Sequence, residues 1–196
     1  MKLEIKYLLA FGAALVLTLV VMPVLIPFLH KIKFGQSIRK EGPKSHMAKT
    51  GTPTMGGIVF VLVPILVMLI LDYKAFATPE MLIVVFAYLG YAFIGFLDDF
   101  LIVVKKNNDG LKPSVKFLLQ SVLAVVFYIC YTYVADTSIE IPVLHLSLNI
   151  GIFIFLFGIL LCFTAESNAV NLTDGLDGLC AGTSLIAIAP SLFFLC

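Results

Sequence analysis

Residues 80–100 read "EMLIVVFAYLGYAFIGFLDDF". Between Glu80 and Asp98 there is no charged side chain, and the run is long enough to cross the hydrocarbon of a bilayer as one helix of about 20 residues. Comparable apolar runs occupy 7–29, 56–72, 115–135 and 149–165, with another at 178–196. Hydrophobic residues make up 61% of the 196-residue chain and charged residues 13%, against roughly a quarter charged in soluble domains. The mean hydropathy is +1.08. These features predict an all-α membrane protein: a single polytopic helical bundle over 1–196 with about six transmembrane helices. The first run is too long for a signal peptide and lacks a small-x-small cleavage site, so it reads as a retained helix.

The basic residues give the orientation. Lys31, Lys33, Arg39, Lys40, Lys44 and Lys49 fall between the first two runs, and Lys105, Lys106, Lys112 and Lys116 between the third and fourth. Alternate loops share a side, and the positive-inside rule places this pair in the cytoplasm. The cytoplasmic segments are then about 30–55, 99–114 and 166–177. The opposite loops are short, although "TSIEIPVLHLSLN" (137–149) alternates polar and apolar residues and predicts a small extracytoplasmic hairpin. Cys130, Cys162, Cys180 and Cys196 stand singly in apolar segments and read as small buried hydrophobes.

The unusual polar chemistry lies in the cytoplasmic segments. Asp98 and Asp99 end the third run, where a carboxylate near hydrocarbon is costly unless paired or used. Adjacent like charges raise one pKa unless a cation compensates, and such a pair suits a divalent metal or a base beside one. In "AKTGTPTMGG" (48–57) a stiff Thr52-Pro53-Thr54 turn and Gly56-Gly57 precede the second run, a candidate anion cradle with Lys49 beside it. No Walker A loop occurs in the chain. "NAVNLTDGLDGL" (168–179) sets Asn168, Asn171, Asp174 and Asp177 at intervals of three. Gly175 and Gly178 point to a helix break lined by amides and carboxylates, tolerated at membrane depth where it lines a polar cavity. An EF-hand is excluded by the spacing. Acids, amides and lysines together fit Mg²⁺ and a diphosphate better than zinc. The lysines follow topology, with no basic patch interleaved with aromatics, so no nucleic-acid partner is expected.

"GPKSHMAKTGTPTMGG" (42–57), "GFLDDF" (95–100) and "NAVNLTDGLDGL" (168–179) resemble, in order and spacing between spans, the signatures of the bacterial phospho-N-acetylmuramoyl-pentapeptide-transferase family, within the polyprenyl-phosphate sugar-1-phosphate transferase superfamily. The resemblance implies a Mg²⁺-dependent enzyme of the cytoplasmic membrane, its site facing the cytoplasm. Such an enzyme moves phospho-N-acetylmuramoyl-pentapeptide from UDP-N-acetylmuramoyl-pentapeptide to undecaprenyl phosphate, giving lipid I and UMP in peptidoglycan biosynthesis. It further implies Asp98 and Asp99 as catalytic acids and Asn171 and Asp174 near the metal and diphosphate. The residues implied to bind substrate are Lys49, Thr52, Thr54, Lys106, Lys116, Asn168, Gly175, Leu176 and Asp177. A homodimer is implied by resemblance alone. Family members have about ten spans, so the chain resembles the N-terminal part of such an enzyme. Three alternatives stay open: an N-acetylglucosamine-1-phosphate transferase of the same superfamily, a six-span ion or solute transporter, and an inactive structural fragment.

Overall fold

The computed structural model describes residues 3–31, 55–105, 110–141, 144–174 and 178–194. The helices are α1 (Leu3–Lys31), α2 (Gly57–Phe76), α3 (Pro79–Lys105), α4 (Pro113–Tyr131), α5 (Gly151–Thr173) and α6 (Leu179–Phe194), with strands β1 (Ser138–Ile141) and β2 (Leu146–Asn149) between α4 and α5. Among the described residues, five helices are long and apolar enough to cross a membrane, α1 to α5. The all-α membrane expectation holds, with α6 a shorter apolar helix of 16 residues. The chain divides into two compact units, residues 1–116 and 117–196.

In the first unit, Val59, Val63 and Val67 recur every four residues on α2 and form its buried stripe. Ala10, Ala13 and Ala14 of α1 pack against them with Met22 and Leu25. Small side chains let two helix backbones approach closely, which is how helices associate where lipid removes the hydrophobic drive. An ion pair ties the two helices at one end: Lys6 Nζ lies 2.6 Å from Asp72 Oδ2. Asp72 itself leaves helical geometry (φ −151, ψ 64) and its Oδ1 accepts a hydrogen bond from the Ala75 N–H at 3.3 Å, restarting the last turn of α2.

Pro64 inside α2 has no N–H to give to the carbonyl four residues earlier, that of Phe60. The Tyr88 hydroxyl of α3 donates to that carbonyl at 2.8 Å. A backbone acceptor stranded in hydrocarbon has no water to turn to, so this bond both repairs α2 and docks α3. Tyr88→Phe should lower unfolding free energy by about 1–2 kcal/mol, measured by denaturant titration in detergent. In the Pro64→Ala background, where residue 64 supplies the missing N–H, the same change should cost measurably less.

In the second unit, Tyr128 of α4 donates to the Ile152 carbonyl of α5 at 3.2 Å. Phe127 meets Phe163 with ring centroids 4.8 Å apart, a tilted packing favoured by the ring quadrupoles. The strands form the expected hairpin, antiparallel with Ser138 opposite Asn149 and Ile141 opposite Leu146. Cys162 is exposed and Cys130 and Cys180 half-buried. These three therefore occupy apolar helices without the protein burial expected of them.

Two helix ends differ from the expected boundaries. The third span does not end at its aspartates, because Leu101, Ile102, Val103 and Val104 prolong the apolar run and α3 continues to Lys105. The fifth apolar run ends at 165, but with neither Gly nor Pro from Ile159 to Asp174 the helix α5 continues to Thr173, just short of Gly175 where the break was expected, and Asp174 is its C-cap. Its terminal Val170 carbonyl accepts from the Asp174 N–H (3.2 Å), the Thr173 hydroxyl (2.9 Å) and the Cys180 thiol of α6 (3.8 Å). Gly178 starts α6 with φ +79, a conformation open to glycine.

Candidate active site

Asp98 lies on α3, half-buried, and each of its carboxylate oxygens is held. Oδ2 is 2.8 Å from Lys116 Nζ, and Oδ1 accepts the Leu111 N–H at 2.7 Å. The side chains of Asp98 and Lys116 are only 17% and 14% exposed. The carboxylate also sits just ahead of the α4 N-terminus, where helix polarity favours negative charge. Lys116 is thus the compensating cation that adjacent acids require. The resemblance implies a substrate contact for this lysine, and one of its three ammonium hydrogens is given to Asp98. Asp99 follows on α3, also half-buried; neighbouring positions on a helix project about 100° apart, so the two acids leave α3 in different directions.

Gly110 shapes this corner. A Cβ at residue 110 would overlap Asp98 Oδ1 and come within 3.1 Å of the Asp98 backbone oxygen. Only a residue without a side chain lets the 110–111 backbone lie flat against the carboxylate. Lys105 Nζ reaches the Gly110 carbonyl at 3.4 Å, a weaker tie across the same loop.

The second unit holds the amides. Asn168 Nδ2 donates to the Thr164 carbonyl at 2.7 Å and to Gln120 Oε1 of α4 at 3.0 Å, while Gln120 Nε2 donates to Ser167 Oγ at 2.9 Å. A backbone carbonyl can only accept, so Thr164 fixes which end of the Asn168 amide is nitrogen. That in turn makes the facing Gln120 atom an oxygen and turns its nitrogen to Ser167. Gln120 is completely buried. Asn168 therefore spends one amide hydrogen within α5, on Thr164, and the other in joining α5 to α4 through Gln120, and no described residue bonds its Oδ1.

Asn171 stands three residues on, rotated about 60° around the axis, and is exposed; Asp174 is exposed at the C-terminus of α5. A helix C-terminus carries partial negative charge, and the last turn of α5 has no basic residue. An acid there gains from a cation. Among the described residues no three His, Cys, Asp or Glu side chains form a metal cluster. Mg²⁺ needs only one or two carboxylates with other oxygens and water, and the oxygen donors of Asn171 and Asp174 are of that kind.

Of the other predicted residues, Lys49, Thr52, Thr54, Lys106, Gly175, Leu176 and Asp177 lie outside the described residues. At the first described residue after Thr54, Met55, the backbone is left-handed (φ 71), while Gly56 is right-handed (φ −59). Sequence reading passed over Gln120, Ser167 and Gly110. The available signal was an amide inside an apolar span, which is costly without a partner.

Residues 81–196 match the model of glycosyl transferase family 4, more than half of the chain, a range that includes Asp98 and Lys116 in the first unit and Gln120, Asn168, Asn171 and Asp174 in the second. The chain belongs to glycosyl transferase family 4. It is similar to the phospho-N-acetylmuramoyl-pentapeptide-transferase of Bacillus subtilis (strain 168), with 48% identity over 173 residues, covering 87% of this chain and 53% of that protein. The protein of the same name from Geobacillus sp. (strain WCH70) is 47% identical over 188 residues, 94% of this chain and 57% of its own. That of Staphylococcus aureus (strain MSSA476) is 46% identical over 177 residues, 88% and 55% respectively. The chain spans about half the length of the curated relatives it matches. Family membership and five candidate spans make it a multi-pass membrane protein of a glycosyl-transferase family.

Proposed function

We propose that the protein to which this chain contributes transfers phospho-N-acetylmuramoyl-pentapeptide from its UDP carrier to undecaprenyl phosphate at the cytoplasmic face of a bacterial membrane. The observation that carries the reading is the likeness of this chain, over 87–94% of its length, to transferases of that name. In the reaction an oxygen of the lipid phosphate bonds to the sugar-linked phosphorus. The bond from that phosphorus to the bridging oxygen breaks, and UMP leaves with the electron pair. The lipid phosphate is already ionised near neutral pH, so the protein's work is positioning and charge neutralisation.

Asp98 and Asp99 serve beside the attacking lipid phosphate, Asp98 as the acceptor of any proton it still carries. Both Asp98 oxygens accept hydrogen bonds that hold the carboxylate in place, and direct attack is favoured because the lipid phosphate, already ionised, is itself the nucleophile and needs no covalent intermediate. Lys49, Thr52, Thr54 and Lys106 contact the donor phosphates, and Gly175, Leu176 and Asp177 the uracil side. Lys116 assists through Asp98. Asn168, its nitrogen spent, offers the donor an acceptor oxygen. Asn171 and Asp174 would hold Mg²⁺, which when bound neutralises the diphosphate charge.

The test is UMP release from UDP-N-acetylmuramoyl-pentapeptide with undecaprenyl phosphate and Mg²⁺ in detergent, for this chain and for one extended to the relatives' length. Release that chelation abolishes and that UDP-N-acetylglucosamine does not support is the expected result. Preference for UDP-N-acetylglucosamine would move the protein to a neighbouring activity, and silence from both folded proteins would overturn the reading.

A further inference from the structure

The β1–β2 hairpin has one face made wholly of aliphatic side chains. Its register sets Ile139 opposite Leu148 and Ile141 opposite Leu146, alternating with Ser138 opposite Asn149 and Glu140 opposite Ser147. Directly opposed residues share a face and successive residues alternate between faces. Ile139, Ile141, Leu146 and Leu148 therefore make one surface and Ser138, Glu140, Ser147 and Asn149 the other. The apolar surface is not packed on the helices, since Ile139, Leu146 and Leu148 are 44%, 44% and 43% exposed. An isolated two-stranded hairpin is marginal in water, and this one would leave its only apolar face wet.

Both ends of the hairpin run into membrane-crossing helices. Tyr133, two residues after α4, is 85% exposed, and Phe153 in the first turn of α5 is 85% exposed. A tyrosine beyond the end of a span occupies the headgroup level. The join to α5 is tight: Asn149 Oδ1 accepts from the Gly151 N–H at 3.0 Å and from the Thr137 hydroxyl at 3.5 Å, clamping the open end of the hairpin to the helix start. Four-residue strands reach only about 13 Å from that clamp, so the whole hairpin stays near the membrane boundary.

We propose that this hairpin lies along the bilayer surface with Ile139, Ile141, Leu146 and Leu148 in the headgroup–acyl boundary and its Glu140 face in water. Both ends of the hairpin run into helices long and apolar enough to cross the bilayer, α4 and α5, and the bilayer is the occupant of its apolar face. The attachment is apolar and not electrostatic, because residues 136–149 contain two acids and no lysine or arginine. Binding to the surface is accordingly independent of anionic lipid, unlike that of basic interfacial segments.

The chain contains no tryptophan, so a single introduced indole reports its own surroundings. Leu148→Trp and Ser147→Trp, with Ile139→Trp and Glu140→Trp as an independent pair on the facing strand, are reconstituted in phosphatidylcholine vesicles with and without phosphatidylglycerol. Brominated phosphatidylcholine and iodide on both sides are the quenchers. Tryptophan at 148 and 139 is expected to lose roughly half its emission to brominated lipid and little to iodide, with the reverse at 147 and 140, at either lipid charge. Indole at 148 and 139 shielded from both quenchers would mean a protein segment or second copy covers the face. Indole open to iodide there would mean that water does. Either result overturns the proposal, as does a lipid contact that appears only with phosphatidylglycerol.

Discussion

Asp98→Asn is expected to lower UMP release by roughly 10²–10⁴-fold, the range for loss of a positioned acid–base group, in the protein at the relatives' length. Its partner gives the sharper test. Lys116→Met leaves the Asp98 carboxylate, only 17% exposed, next to Asp99 without its cation. Breaking a buried pair from one side costs about 3–5 kcal/mol, and with both partners still about one-sixth exposed the lower end applies. Asp98→Asn with Lys116→Met removes both charges, so stability should recover while transfer stays lost. Gly110→Ala completes the set. It keeps every charge but places a methyl where Asp98 Oδ1 now lies, and misplacement of a reacting group by about 1 Å costs on the order of 10²-fold. If Lys116→Met retained full transfer and full stability, the ion pair would have no part in the site.

Gln120 carries the second large effect. Its buried amide bridges Ser167 and Asn168 from α4 to α5. Gln120→Leu strands one Asn168 hydrogen in an apolar setting, for which about 1–3 kcal/mol is lost, whereas replacing both partners by apolar groups of similar shape is nearly neutral. Gln120→Leu combined with Asn168→Leu should therefore unfold no more readily than Gln120→Leu alone. Activity should not follow stability: if the Asn168 oxygen contacts the donor, the double variant loses on the order of 10²-fold in UMP release and binds UMP more weakly. A double variant that regains both stability and transfer would make Asn168 a structural tie and nothing more.

The membrane architecture was legible in the amino-acid order because bilayer thickness dictates the length of an apolar run, so "MLIVVFAYLGYAFIGF" declares a span whatever surrounds it. The hairpin was legible for a similar reason: strict alternation from Ser138 to Ile141 and from Leu146 to Asn149 has one local solution. Asp98, Asp99, Asn168, Asn171 and Asp174 stood out as polar groups that an apolar chain must have a use for. Helix ends were less legible, since nothing local stops α3 before Lys105 or α5 before Thr173.

What the order of residues could not supply was partnership across helices. That Lys116 neutralises Asp98, that Tyr88 replaces the hydrogen bond Pro64 withholds from Phe60, and that Gln120 fixes the amide of Asn168 depend on how each helix is rotated against its neighbour. Sequence periodicity defines a face but not what meets it, because many rotations bury the same apolar area. In a membrane, where apolar burial hardly distinguishes one helix face from another, hydrogen bonds and small-residue contacts make the choice, and only the packed structure contains them.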